Sequence, residues 1–292
     1  MTSCASAPSD PLGARADPVL GGAIDRETSS VVVVRRAGAT ELCSGVLVSA
    51  RVVLTAGHCV WQSGRYSVGF GDDGRKPATV IDVARLALYP TATMTEADLA
   101  GGIDLAALEL TADAPVPPMP LRPTPLPSEL LGARVEVVGV GRSESSSPES
   151  APRARVSTTV SRVCSRLVRL GDSAANACDG DSGGAVLYEG QLAAIVSFGL
   201  GGCNTPSSHT RLDAHRAWLD RMIAGRFDES CQECVAADSS CGAPVSPWPA
   251  SPEPSADCAM RAGPVASDTP WLVGAVGCAW VLRGRRRRRL VG

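Results

Sequence analysis

From Val31 onward the apolar positions fall in short runs separated by turn residues. Val31–Val34, Gly45–Val48, Val52–Leu54, Thr79–Leu88 and Leu105–Leu110 are rich in apolar residues and bounded by Gly, Ser or Asp. They are too short for helices and predict strands. A proline-rich stretch follows, from Pro115-Val116-Pro117-Pro118-Met119-Pro120 to Pro127. Proline offers no amide donor to a central strand, so this stretch predicts a linker. A second strand series lies beyond it: Val135–Val138, Arg155–Val160, Ala185–Leu187 and Leu192–Phe198. Two strand sets of similar length around a proline crossing predict an all-β fold of two packed barrels.

One helix is signalled near the end of the second series. Asp213 is placed to cap it, Trp218 with Met222 and Leu219 with Ile223 give four-residue apolar spacing, and Gly225 ends it. After Phe227 the chain turns to Cys, Pro, Ser and Ala without a core pattern, which predicts a disordered stalk. It closes with an apolar stretch, Trp271–Leu282, then Arg283 and Arg285–Arg289. That stretch is shorter than the roughly 20 residues of a usual membrane-spanning helix. Arginines on one flank favour retention on the cytoplasmic face over a nucleic-acid role. The expected organisation is a leader or propeptide at 1–18, one folded domain at 19–226, a Cys/Pro/Ser-rich linker at 227–269, and a short apolar helix with an arginine cluster at 270–292.

Composition narrows the class. Aromatics are 4% of the 292 residues, so the core must rest on Val, Leu, Ala and Ile. The formal net charge is −2, and much of the positive side sits in the terminal arginine run. The body is therefore acidic, which excludes a nucleic-acid-binding body. Eleven cysteines favour an exported, disulfide-bearing protein over a cytosolic one. Met1 to Gly22 has neither a basic n-region nor an apolar h-region, while Met1-Thr2-Ser3-Cys4 resembles the end of a bacterial lipobox. A start codon further upstream is the resulting expectation.

Three segments carry chemistry: Leu54-Thr55-Ala56-Gly57-His58-Cys59, Asp104-Leu105-Ala106-Ala107-Leu108, and Asp179-Gly180-Asp181-Ser182-Gly183-Gly184. Peptide hydrolysis needs a nucleophile, a base and donors for an oxyanion. In this order and spacing the segments resemble chymotrypsin/trypsin-like serine peptidases, from about Val19 to Arg226. The resemblance implies two six-stranded antiparallel barrels with a C-terminal helix. It implies a serine endopeptidase with His58 as general base, Asp104 as its orienting acid and Ser182 as nucleophile. Backbone N–H groups of Gly180 and Ser182 would form the oxyanion hole, and Ser197-Phe198-Gly199 would pair with substrate as an added strand. Asp98-Leu99-Ala100 competes with the Asp104 motif, but Gly101-Gly102 would break the strand that should follow. His209 and His215 lack such context and read as core-edge and helix-surface residues.

The same resemblance implies disulfides Cys43–Cys59 and Cys178–Cys203, and leaves Cys164 free or unusually paired because Leu167–Ala175 is shortened. Asn176 takes the position that sets charge at the pocket base. An amide there, with Ser207 on the wall and Gly199 at an open mouth, implies a neutral P1 side chain. Val19-Leu20-Gly21-Gly22 resembles an N-terminus exposed by zymogen cleavage, whose ammonium would pair with Asp181. Pro18 stands where the family usually has a basic residue. The implied partners are protein or peptide substrates and an activating protease. No cofactor, metal or nucleic acid is implied.

Cys231, Cys234, Cys241 and Cys258 lie beyond the matched region. A redox or zinc reading of Cys231-Gln232-Glu233-Cys234 lacks a nearby histidine, and stalk disulfides suit an exported chain better. Cysteine, apolar helix and arginine cluster together resemble the C-terminal sorting signals of myxobacterial surface proteins. That implies a sorting protease acting near Cys258, or membrane attachment through the helix, although Cys278 departs from the pattern. A non-catalytic or zymogen-locked homologue that binds proteins at the cell surface is the alternative function.

Overall fold

The computed structural model describes residues 19–141, 149–199 and 203–228. Compact units divide between Val245 and Ser246, and the second unit lies wholly outside the described residues. The expected leader, the linker beyond Asp228 with its cysteines, and the apolar tail also lie outside them.

The chain opens with a two-residue strand, β1 (Ala23–Ile24), before the first barrel. β2 (Val31–Arg36), β3 (Cys43–Leu47), β4 (Val52–Thr55), β5 (Tyr66–Phe70), β6 (Thr79–Leu88) and β7 (Ala106–Leu110) follow. They close in the order β2-β3-β4-β7-β6-β5, every pairing antiparallel. The second set is β8 (Arg134–Gly139), β9 (Ala154–Val163), β10 (Leu167–Leu170), β11 (Ala185–Tyr188), β12 (Gln191–Gly199) and β13 (Ser207–Arg211). It runs β9-β10-β13-β12-β11-β8 and closes through β8 and β9, with β1 added alongside β9. Two closed six-stranded antiparallel barrels with a C-terminal helix are the chymotrypsin-like arrangement.

Side-chain alternation explains the burial. Val32, Val34, Leu47, Val53, Val68, Phe70 and Leu108 fill the first barrel. Val137, Val156, Val160, Val168, Leu170 and Ala194 fill the second. A third cluster joins Val31, Val46, Leu54 and Leu105 to Val138, Ala185, Leu192, Ile195 and Trp218. It lies between the barrels, so β2 and β4 are buried on both faces. That is why Val31–Val34 reads as a continuous apolar run rather than an alternating one. Each such Val, Leu, Ile or Phe side chain contributes roughly 1.5–3 kcal/mol on leaving water.

The proline-rich linker is extended and bonded to both barrels. Met119 N–H donates to the Leu47 carbonyl at 2.8 Å, Arg122 N–H donates to Leu192 at 2.9 Å, and Leu192 N–H returns to Pro120 at 3.0 Å. A short helix, α1 (Glu96–Ala100), is held by a capping box between Thr95 and Asp98. The C-terminal helix, α2 (Arg216–Ile223), buries Trp218, Leu219 and Met222.

Several elements differ from expectation. Asp213 does not cap α2. Its carboxylate accepts Arg211 at 2.6 and 3.0 Å and the Leu126 N–H at 2.8 Å, and a 3-10 turn over Asp213–His215 leads into the helix. Gly225 does follow the helix with φ +75°. The shortened segment Leu167–Ala175 begins with β10. His215 is buried rather than on the helix surface, and its ring Nε2–H donates to the Gly102 carbonyl at 2.7 Å. Since that carbonyl can only accept, Nε2 carries the proton. No helix among the described residues is long and apolar enough to cross a membrane.

Candidate active site

His58 lies in a 3-10 turn, Gly57–Cys59, directly after β4. A Cβ on Gly57 would stand 2.8 Å from Met94 Cε and 3.3 Å from Asp104 Oδ1, so glycine there lets the turn pack closely against both. Asp104, fully buried, precedes β7. Its Oδ1 accepts the backbone N–H of His58 at 2.8 Å, and its Oδ2 accepts from His58 Nδ1 at 2.8 Å and from Ser197 Oγ at 2.5 Å. A carboxylate only accepts, so the Nδ1 proton faces Asp104 and Nε2 is the basic nitrogen. Burial alone would push the Asp104 carboxyl up. The bonds from His58 and Ser197 outweigh it and hold the group below the ordinary carboxylate range. Asp98 is spent on Thr93 and Thr95 in the α1 capping box and does not meet His58.

Ser182 comes from the second barrel, in the turn between β10 and β11. Ser44 N–H donates to its carbonyl at 2.8 Å and Gly183 N–H donates to Val196 at 2.7 Å, which tie the turn to both barrels. Gly183 adopts φ +85°, and a Cβ there would fall 2.1 Å from the Ser44 carbonyl and 2.2 Å from Thr55 Oγ1. Ser44 Oγ also donates to the Gly180 carbonyl at 3.0 Å. The N–H groups of Gly180 and Ser182 have no hydrogen-bond acceptor among the described residues. They are therefore free to meet an anion.

Ser182 Oγ donates to the Ser197 carbonyl at 3.3 Å, and no hydrogen bond joins it to His58. Both residues nevertheless line one cleft of about 260 Å³. Leu99, Ala177, Val196, Phe198, Gly199 and Ser207 share that lining, with Cys178 and Cys203. Asn176 does not. It is buried behind the lining, its amide nitrogen donating to the Thr205 carbonyl and its oxygen accepting Ala177 N–H at 2.9 Å and Ser207 Oγ at 2.5 Å. The expected pocket-base amide is turned away because three local partners satisfy it.

Asp181 is fully buried and accepts Cys178 N–H at 2.7 Å and Gly141 N–H at 3.0 Å. No cation pairs with it among the described residues, and burial pushes its pKa up to about 7. Val19 is also fully buried, within the second barrel's core, and Leu20 pairs with Asn176 in both directions at 3.0 and 3.2 Å. Both implied disulfides, Cys43–Cys59 and Cys178–Cys203, are formed. Cys164 is disulfide-bonded too, so it is paired rather than free. Sulfur atoms of Cys43 and Cys59 lie near the His58 ring, but as a disulfide they supply no thiolate for a metal.

A model of the Trypsin family matches residues 20–219. This chain belongs to the trypsin family. Human kallikrein-7 (Homo sapiens) is 30% identical over 200 residues, 61% of this chain and 76% of its own. Mast cell protease 2 of Ovis aries is 28% identical over 200 residues, 62% and 78% of the two chains. The thrombin-like enzyme bhalternin of Bothrops alternatus is 26% identical over 247 residues, 73% and 90%. The chain is thus a trypsin-like serine peptidase by homology.

Sequence reasoning missed three parts of this trypsin-family site. The resemblance places Ser197 in the substrate-pairing segment; its side chain in addition holds Asp104. A register shift between Val196 and Phe198 leaves Ser197 unpaired against β13 and re-aims its side chain. Leu99 enters the cleft from α1, visible in sequence only as part of the competing Asp98 motif. His209, read as a core-edge residue, is fully buried beside Ser207.

Proposed function

We infer that this chain is a serine endopeptidase working through His58, Asp104 and Ser182. The observation that carries the reading is the pair of hydrogen bonds by which Asp104 holds His58, in a cleft that Ser182 also lines. In this reading a substrate carbonyl enters the cleft, and Ser182 Oγ leaves Ser197 and passes its proton to His58 Nε2 as it attacks. The carbonyl oxygen becomes an anion against the N–H groups of Gly180 and Ser182. One such donor is worth about 100–1,000-fold in rate. His58 then protonates the leaving amine, and water resolves the acyl-enzyme by the same route. Substrate backbone pairs along Ser197, Phe198 and Gly199, and the P1 side chain is uncharged.

The unpaired Asp181 carboxylate supports activation by cleavage before Val19. A freed ammonium there would supply the missing cation and order the Gly180 turn. The same observation is what a zymogen-locked binding protein would present. We further propose a mature peptidase domain at 19–226 that is exported, its disulfides supporting an oxidising compartment. The linker 227–269 and the tail 270–292, with Cys258 as a processing point, would deliver it to a surface or membrane.

Fluorophosphonate labelling of protein cleaved before Val19 tests the reading. Labelling that disappears in Ser182→Ala, together with peptide hydrolysis, is expected. Absence of labelling in the cleaved protein favours the binding-module alternative.

A further inference from the structure

Behind the cleft wall a chain of polar groups leads from Thr205 through Asn176 and Ser207 to His209. Its proton positions follow from its backbone partners. The Asn176 amide nitrogen faces the Thr205 carbonyl and its oxygen faces the Ala177 N–H. A carbonyl cannot donate and an N–H cannot accept, so the amide has one orientation. Ser207 Oγ lies 2.5 Å from Asn176 Oδ1. Two oxygens that close repel unless a proton lies between them, and Asn176 Oδ1 has none to give. The Ser207 proton therefore points at Asn176. The 2.9 Å contact between Ser207 Oγ and His209 Nε2 must then be donated by the ring. His209 is the Nε2–H tautomer, and its buried Nδ1 is a bare lone pair without a partner among the described residues. Burial keeps the ring neutral, its pKa pushed down to about 3.

A serine hydroxyl has one proton and two lone pairs. Here the proton is committed to Asn176 and one lone pair to His209. Ser207 lines the cleft, and what it has left to offer is the second lone pair. We propose that the pocket wall at Ser207 is an uncharged, acceptor-only surface that selects P1 side chains ending in a neutral hydrogen-bond donor, tyrosine among the aromatics, with His209 the positioning residue that fixes this polarity. The proposal rests on the peptidase reading above and names its substrate class. A P1 carboxylate meets a lone pair and is rejected. A P1 lysine or arginine finds no buried carboxylate, because Asp179, the one acid on the lining, is exposed.

The test is a peptide amide series differing only at P1, with tyrosine, phenylalanine, O-methyltyrosine and glutamate, on protein cleaved before Val19. Tyrosine is expected to exceed phenylalanine and O-methyltyrosine by about three- to tenfold in kcat/KM, the worth of one neutral hydrogen bond. Glutamate should fall below all three. In Ser207→Ala the tyrosine-to-phenylalanine ratio should drop to about one. In His209→Phe, which cannot donate, the ratio should drop, and His209→Gln, which can, should restore it. Nitrogen NMR of the uncleaved chain reads the tautomer without any need for activity: His209 protonated at Nε2 is expected, and protonation at Nδ1 overturns the proposal. A labelled, hydrolysing enzyme with a ratio of one or below overturns the proposal alone. A cleaved protein that neither labels nor hydrolyses overturns the peptidase reading and the proposal with it.

Discussion

Ser197 and His58 converge on one oxygen of Asp104, at 2.5 and 2.8 Å, although they belong to different barrels. The carboxylate is fully buried, so each donor both satisfies it and restrains it. Removing Ser197 Oγ leaves Asp104 to His58 alone and frees the imidazole to rock. Ser197→Ala is expected to lower kcat/KM about tenfold, while Ser197→Thr, which keeps the hydroxyl, loses less. Steady-state rates on one peptide check this, and equal rates in the parent and Ser197→Ala would sink it.

Gly183→Ala is expected to be among the most damaging single changes. Its Cβ would meet backbone at 2.1 Å in a conformation with φ +85°. The turn that carries Ser182 must shift, at a cost of about 3 kcal/mol or more. A lowered Tm together with lost fluorophosphonate labelling is the expected result.

The uncleaved chain should carry a pH signature of Asp181. Its folded pKa, about 7, lies above the ordinary carboxylate value of 3.8, so the folded state holds the proton more tightly. The stability this contributes is complete below pH 3.8 and is lost as pH rises through about 7. His209 and His215, with folded pKa values near 3 and 4 against 6.5, act oppositely: their contribution is complete above pH 6.5 and is lost on acidification. Denaturant unfolding from pH 4 to 7 therefore needs the comparison with Asp181→Asn. The variant should lose the downward component, so its stability climbs more steeply with pH than the parent's. Parallel curves would remove the case for a buried, unpaired Asp181.

Opening the Cys43–Cys59 bond should destabilise the first barrel. The bridge closes a loop with a sequence separation of 16, worth about 3 kcal/mol by the chain-entropy model. A Cys43→Ser, Cys59→Ser double variant should unfold at lower denaturant with little change in slope.

The strands that could be read in advance are those whose burial comes from apolar side chains. β4 runs over Val52–Thr55, buried throughout, close to the Val52–Leu54 its sequence predicts. β13 escaped because Ser207-Ser208-His209-Thr210-Arg211 has no apolar residue, yet its first four positions are buried. The buried hydroxyls of Ser207 and Thr210 are satisfied by Asn176, His209 and the Asp104 carbonyl, and no local pattern reveals such partners. β5 also escaped: Tyr66, Val68 and Phe70 alternate, but Ser67 and Gly69 between them resemble turn residues. In the site, His58, Asp104 and Ser182 were legible because short motifs surround them. Ser197's grip on Asp104 was not, because it depends on a one-residue bulge between β12 and β13. Asp213 looked like a cap because helix-start chemistry is local, whereas Arg211 and Leu126 claim it through the fold.

The proposed base and its acid sit on the first barrel, and the proposed nucleophile sits on the second. Neither half of the chain alone therefore contains a working centre. Turnover becomes a gauge of how well the seam around Leu54, Leu105, Ala185 and Ile195 is closed. A ligand that wedges this seam far from the cleft would silence the enzyme without touching substrate. Halves divided within the proline crossing would regain activity only on reassociation, so complementation between them would report docking directly.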